Sequence, residues 1–188
     1  PYTTLFRSPG FDQLVAVNVT LVLLVDANVL IDYVKSDLSI LGIAARHMGE
    51  VCVLSNVLAE VIGLDQDGCA RLGVRVIEPE LAHLVAASQK RGALSTADHL
   101  CLILAREKGW TCVTSDGRLR KACQQSQVPV LWGLELMLEL VRINQLSGVD
   151  AITVANTIHH ANPFHITAEI VADFVRKIGT LSAGKEQT

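Results

Sequence analysis

Five short apolar runs, each favouring a β-strand, alternate along the chain with segments of helical periodicity. Strands and helices that alternate in this way form βαβ units with right-handed crossovers around a parallel sheet. The sequence therefore predicts an α/β fold of three layers, α/β/α, with a central parallel sheet of about five strands and additional C-terminal helices. The strand-like runs cover residues 21–25, 51–54, 73–77, 110–114 and 128–132.

Apolar spacing and capping residues mark the helices between these runs. After the second run, Ser55 or Asn56 is expected to cap a helix that carries Glu60 in its first turns. Gly109 is the expected stop of a helix over residues 96–108. Shorter helices are predicted over 81–87 and 119–123.

The chain divides into a sheet domain and a helical extension. Residues 19–135 contain the predicted sheet domain, and residues 136–180 are expected to form helices that pack on it. Residues 181–188 are expected to form a flexible tail. Residues 1–8 resemble a translated sequencing adapter, so they carry no weight in the fold prediction.

Composition excludes several classes of protein. Half of the 188 residues are hydrophobic and 4% are aromatic, which is typical of one compact domain with an aliphatic core. No apolar run approaches the roughly 20 residues of a membrane span, and the N-terminus lacks a secretory-signal pattern, so we expect a cytoplasmic protein without membrane contact. The net charge of −3 argues against coating nucleic acid by bulk electrostatics. The five cysteines contain no C-x-x-C pair, so neither zinc nor disulfides are implied.

Four acids are predicted to lie near one edge of the sheet. Asp26 directly follows the first strand-like run and Asp116 follows the fourth. Glu60 comes shortly after the second, and Asp98 opens the helix before the fourth on a face shared with apolar residues. Ligands of open parallel sheets collect outside the carboxyl ends of the strands, so this edge is the expected site.

Carboxylates that converge in this way require a cation. Burying one unpaired charge is costly, and neighbouring carboxylates raise one another's pKa unless a cation neutralises them. Mg²⁺ and Mn²⁺ prefer oxygen ligands, and one or two such ions activate water for displacement at a phosphodiester. The pattern therefore predicts a metal-dependent nuclease.

Each acid also has a structural interpretation, which stays open from the sequence alone. Asp26 and Asp116 fit helix N-caps or turns, and Ser95 with Asp98 fits a capping box. Glu60 fits an ordinary acidic residue of a helix. Only the combination of the four positions favours a catalytic site.

The residues that carry this site resemble the PIN-domain family of metal-dependent nucleases over roughly residues 21–135. The matching segments occur in the family's order, which makes their combination more specific than any one of them. They are VDANVL at 25–30, SNVLAEV at 55–61, LSTADHLCLILA at 94–105 and VTSDGRLRKA at 113–122.

The resemblance implies that the four acids form a catalytic site that binds Mg²⁺ or Mn²⁺. It also implies that Asn28 and Thr114 are auxiliary polar residues of that site. The usual activity of the family is endoribonucleolytic cleavage, and many compact members are toxins of the VapC type. An RNA substrate, an antitoxin partner and a homodimer follow from the resemblance only.

Three cations follow the last acid, and they are candidates for substrate binding. Arg118, Arg120 and Lys121 lie where they can neutralise a phosphate backbone, although such charges are also common on solvated helices. His99 adjoins Asp98 and is expected to point away from it along the helix.

Two other functions compete with the nuclease prediction. A PIN fold that binds RNA or protein without cleavage is the first alternative, and the loss of an acid would favour it, whereas all four positions are filled. A phosphotransfer domain is the second. Such domains place a second acid beside the first and a lysine after a late strand, and neither feature follows Asp26 or the last two strands.

Overall fold

The central sheet has five parallel strands in the order β3-β2-β1-β4-β5. The computed structural model describes residues 21–89, 92 and 94–183, and the sheet is drawn from these residues. The observed sheet confirms the prediction of a parallel sheet of five strands, with the proline-flanked last strand at one edge. The strands are β1 (Val22–Val25), β2 (Glu50–Leu54), β3 (Val74–Ile77), β4 (Thr111–Val113) and β5 (Val130–Leu131).

Helices cover both faces of the sheet. The described residues contain α1 (Ala27–Lys35), α2 (Ser39–His47), α3 (Ser55–Leu58), α4 (Gln66–Leu72), α5 (Leu81–Ser88), α6 (Thr96–Lys108), α7 (Gly117–Gln125), α8 (Gly133–Arg142), α9 (Gly148–Ala161) and α10 (Ala168–Ala183). None of these helices is long and apolar enough to cross a bilayer.

The strand order separates the helices into two layers. From β1 the chain moves outwards through β2 to β3, and it then returns to β4 on the other side of β1 and continues to β5. Because parallel crossovers are right-handed, helices that connect strands in opposite directions lie on opposite faces of the sheet. Helices α1, α2 and α4 therefore cover one face, whereas α5, α6 and α7 cover the other. The contacts agree, because α2 packs on α4 and β2 while α6 packs on α7 and β4. The predicted three-layer α/β/α fold is confirmed.

Strand β1 lies at the centre of the sheet and of the core. Leu23, Leu24 and Val25 are completely buried, as expected for a parallel strand with helices on both faces. Backbone pairing joins β1 to β2 on one side and to β4 on the other. The residues that follow β1 and β4 are consequently neighbours at the carboxyl edge of the sheet.

The C-terminal helices pack on the layer that contains α1 and α2. Helix α8 contacts α2, α9 contacts α1, and α10 contacts both α8 and α9. The Tyr33 hydroxyl donates a hydrogen bond to the Gly133 carbonyl oxygen at 2.7 Å, and Asn162 Nδ2 donates to Asp32 Oδ1 at 3.0 Å. These two bonds fix the start of α8 and the end of α9 to α1.

The predicted segment boundaries differ from those of the helices. The boundary predicted between residues 135 and 136 falls inside α8, and α10 extends through residue 183 into the segment predicted as a tail. The predicted segment 1–8 and residues 184–188 lie outside the described residues.

Several helices also differ from the sequence prediction. Helices α2 and α4 were not predicted, and α7 is longer than residues 119–123. The predicted cap of α3 was wrong, because Leu54 occupies the N-cap position and Ser55 is already helical. Helix α3 ends at Leu58, so Glu60 lies in the turn that follows and is not helical.

Candidate metal and catalytic site

Asp26 begins the candidate site at the carboxyl end of β1. Its backbone N–H donates to the Val113 carbonyl oxygen at 3.0 Å, so the β1–β4 ladder continues to this residue. Its Oδ1 accepts a hydrogen bond from the Val29 N–H at 2.8 Å and thereby caps α1. The side chain is only 1% exposed, which makes Asp26 the most deeply buried of the four predicted acids.

Thr114 connects the first acid to the last. Its side chain is fully buried after β4, and its Oγ1 donates a hydrogen bond to Asp26 Oδ2. The same Oγ1 accepts a hydrogen bond from the Asp116 N–H at 2.9 Å. The hydroxyl therefore orients the Asp26 carboxylate and positions the backbone that carries Asp116.

Asp116 caps α7 with one of its two carboxylate oxygens. Oδ1 accepts hydrogen bonds from the N–H groups of Arg118 at 2.7 Å and Leu119 at 2.8 Å. Oδ2 accepts none from the described residues, and the side chain is half-buried. One oxygen thus shapes the helix terminus and the other is available to a ligand.

Asp98 combines the same two features at the start of α6. Its Oδ2 accepts hydrogen bonds from Ser95 Oγ at 2.7 Å and from the Ser95 N–H at 3.2 Å, and Ser95 Oγ accepts from the Asp98 N–H at 3.0 Å. This arrangement is a complete capping box. No described residue donates to Oδ1, so this oxygen also stays available.

The electrostatics of the site centre on Asp26. Burial raises the pKa of its carboxyl from the usual 3.8 to about 7, and hydrogen bonds from Thr114 and Val29 oppose that increase. The negative charges of Asp98 and Asp116 raise the pKa further. Among the described residues no cation acts on this carboxyl. Asp26 is thus a buried acid with two like-charged neighbours, which is the arrangement that a bound cation relieves.

Cys101 shows that Glu60 belongs to the same neighbourhood. Burial raises the pKa of this thiol well above its usual value, and the charges of Asp26, Asp98 and Glu60 act on it in the same direction. Glu60 itself is exposed in the turn after α3. The fold therefore brings all four predicted acids to one end of the sheet, with Asp26 buried and Glu60 at the surface.

The acids are close together but are not preassembled as metal ligands. In the part of the chain that the structure describes, no group of three or more His, Cys, Asp or Glu side chains is arranged to hold a metal ion. The donor atoms still fit Mg²⁺ or Mn²⁺, because they are carboxylate oxygens around a buried acid without a cationic partner. Asp26, Asp98 and Asp116 are the residues that would hold such an ion.

The remaining predicted site residues occupy different surroundings. Asn28 is exposed on the first turn of α1, two residues after Asp26. Arg118 and Lys121 line a groove between α6 and α7. The guanidinium of Arg120 instead lies 4.3 Å from the ring centroid of Trp132, in a second groove that α8 and α10 also line. The structure thus separates the three predicted cations into two groups.

The groove between α6 and α7 includes two residues that were not among the predicted site residues. His99 lines it from α6, and Gln125 lies on the face of α7 that carries Arg118 and Lys121. A signal for this face was present, because positions 118, 121 and 125 recur at spacings of three and four residues. Arg120 is two residues from Arg118 and therefore faces elsewhere.

Comparison with known proteins found no match to this chain. No protein-family model matches the chain, and neither the curated proteins nor the solved structures contain a match.

Proposed function

We propose that this protein is a PIN-type nuclease that uses Mg²⁺ or Mn²⁺ to hydrolyse RNA phosphodiester bonds. The observation that carries the proposal is Asp26, a carboxylate that is 1% exposed at the carboxyl edge of a parallel sheet. The charges of Asp98 and Asp116 act on it, and no cation among the described residues does. Retaining such a group is costly unless a ligand compensates, which supports a cation-binding role.

The chain's own residues divide the work of such a site. Asp26 would hold the cation, and the Thr114 hydroxyl fixes the orientation of its carboxylate. Asp98 and Asp116 would add the carboxylate oxygens that accept no hydrogen bond from the described residues. Glu60 is exposed on the same side, where it can accept a proton from the attacking water. A bound divalent ion lowers the pKa of that water and stabilises the leaving oxygen.

The sequence resemblance to PIN-domain toxins supports three further parts of the proposal. These are an RNA substrate, an inhibitory antitoxin and a homodimer. Light scattering of the purified protein tests the dimer. Expression of the wild type beside Asp26→Asn in growing cells tests toxicity, since only a nuclease toxin would arrest growth in an Asp26-dependent manner.

Cleavage of a mixed single-stranded RNA tests the proposed activity. Purified protein is incubated with the RNA and either Mn²⁺ or EDTA, beside the Asp26→Asn and Asp116→Asn variants. Glu78→Gln is the matched control, because Glu78 is an exposed acid without a hydrogen bond or ion pair to another described residue. We expect cleavage that requires Mn²⁺, is lost in both Asp variants and is kept in the control. Intact RNA with folded wild-type protein and Mn²⁺ would contradict the proposal.

A non-catalytic module that binds RNA or protein is the second candidate. It is favoured by the lack, among the described residues, of a preassembled group of metal ligands. This module would bind single-stranded RNA equally well in Mn²⁺ and in EDTA and would leave it intact. Asp26→Asn would then leave the binding unchanged.

A further inference from the structure

A groove of about 430 Å³ lies between α6 and α7, on the side of the sheet opposite α1 and α2. Its polar lining consists of His99 on α6 and of Arg118, Lys121 and Gln125 on α7. Its apolar lining consists of Leu94, Leu102 and Ala122. The groove is therefore lined by two cations, two further polar side chains and three apolar ones.

The two cations of the groove have no acidic partner within the described residues. Several other cations of the chain are paired, for example Arg75 with Glu50 and Lys177 with Asp173. Arg118 and Lys121 are exposed and form no such pair. In a chain with a net charge of −3, two unpaired cations in one concave site favour an anionic ligand.

His99 completes the polar lining of the groove. Its Nδ1 is buried and has no hydrogen-bond partner in the described part of the chain. Because this atom is inaccessible, only the rest of the ring can contact a ligand in the groove.

The position of the groove relates it to the acids. His99 directly follows Asp98 on α6, and Arg118 is two residues after Asp116, the cap of α7. Leu94 and Arg118 place one end of the groove at the N-termini of α6 and α7, where Asp98 and Asp116 lie. A strand of RNA that occupies the groove therefore approaches these two acids at that end.

We propose that this groove binds single-stranded RNA beside the cleavage site, with Arg118 and Lys121 each neutralising one phosphate. The inference rests on the proposed nuclease function and adds the path of the substrate. A single strand can bend to bring one phosphodiester towards the buried Asp26. A rigid A-form duplex cannot, because its phosphates lie on the outside of a stiff helix.

Salt-dependent binding of a fluorescently labelled single-stranded RNA tests this path. Anisotropy is measured in EDTA, which prevents cleavage. The salt concentration is varied from about 50 to about 200 mM. The test variant is Arg118→Gln with Lys121→Gln. The control is Arg46→Gln with Arg71→Gln, which removes two exposed, unpaired cations from α2 and α4 in the opposite helix layer.

We expect the test variant to bind about tenfold more weakly, since two exposed ion pairs are lost. Each neutralised phosphate of a single strand contributes about 0.7 to the slope of log K against log salt, so the slope should fall by about 1.4. The control should keep the wild-type slope. Arg118→Gln retains the backbone N–H that bonds to Asp116, so the cap of α7 survives, and circular dichroism verifies the fold.

The outcomes separate this inference from the proposed activity. Unchanged binding and slope in the test variant, or an equal loss in the control, would overturn the groove assignment even if the wild type cleaves RNA. A selective loss of binding together with a wild type that never cleaves in Mn²⁺ would support the groove and refute the nuclease. Equal affinity for a duplex of the same sequence would overturn the single-strand assignment.

Discussion

Replacing Asp26 by asparagine removes one negative charge and keeps the size of the side chain. Burial raises the pKa of the Asp26 carboxyl from 3.8 to about 7. At a pH between these two pKa values, the folded protein therefore holds a proton that the unfolded chain has released. The stability from this proton is complete below pH 3.8 and is lost as the pH rises through about 7. At pH 8 the ionised carboxylate therefore opposes folding by about 4 kcal/mol.

Asparagine avoids this cost and loses one interaction. Its oxygen can still accept from the Val29 N–H, but its amide cannot accept the Thr114 hydroxyl proton, a loss of about 1 kcal/mol. We expect Asp26→Asn to stabilise the metal-free protein by about 3 kcal/mol at pH 8. At pH 5 wild-type Asp26 is protonated in the folded state, so the gain should fall to less than about 1 kcal/mol.

Urea unfolding followed by circular dichroism, in EDTA at pH 5 and pH 8, measures this difference. Glu78→Gln serves as the control and should change the free energy of unfolding by less than about 0.5 kcal/mol at both pH values. Mn²⁺ at a hundredfold excess over its Kd should stabilise the wild type at pH 8 by about 2.7 kcal/mol and leave Asp26→Asn unaffected. A variant that is less stable than wild type at pH 8, or equally shifted at both pH values, would refute the reasoning.

Three further substitutions probe neighbouring contacts. Thr114→Val removes the hydroxyl that connects Asp26 and the Asp116 N–H, and should lower the free energy of unfolding by about 1–3 kcal/mol and reduce RNA cleavage, whereas Thr114→Ser should retain both. Asn162→Ala removes the donor to the buried Asp32 carboxylate. In urea titrations the free energy of unfolding should fall by about 1–2 kcal/mol. Because burial already raises the pKa of Asp32, this fall should be greater at pH 8 than at pH 5. Gly109→Ala, at φ 68° with open space around its Cβ position, should cost about 1 kcal/mol in thermal unfolding; no change would show that the left-handed backbone relaxes.

The sequence was sufficient for the parts of the fold that depend on local pattern. The helix predicted over residues 96–108 matches α6 because Gly109 adopts the left-handed conformation that ends it. The unpredicted α4 had comparable signals, since Asp65 caps it and Gly73 ends it, and those signals were overlooked. Helix α2 had weaker ones, because Leu38 occupies its N-cap and provides no side-chain cap.

Apolar spacing misled the prediction for α3. Val57, Leu58, Val61 and Ile62 follow a helical pattern, but Ile62 is 95% exposed and does not join the core. Gly63, at φ 96°, then turns the chain. The periodicity therefore extended the helix past Leu58, and Glu60 was placed on it.

Local pattern could not separate a capping role from a catalytic one at the acids. Asp26 and Asp116 are helix N-caps in the structure, and Asp98 completes the capping box with Ser95, so the structural interpretation was correct for each. Capping nevertheless leaves an oxygen free on Asp98 and on Asp116. What distinguishes Asp26 is its burial, and burial depends on strands and helices that are distant in sequence.

The position of β1 between β2 and β4 also controls when the candidate site can form during synthesis. The hydrogen bond between Thr114 and Asp26 joins residues 88 positions apart. Glu60 and Asp98 lie within the loop that it closes, and Asp116 follows Thr114 by two residues. Closing such a long loop is slow compared with forming a local helix. A nascent chain on the ribosome therefore carries Asp26 without Thr114 and Asp116 until β4 has been synthesised, so the candidate site cannot form before that strand has left the ribosome.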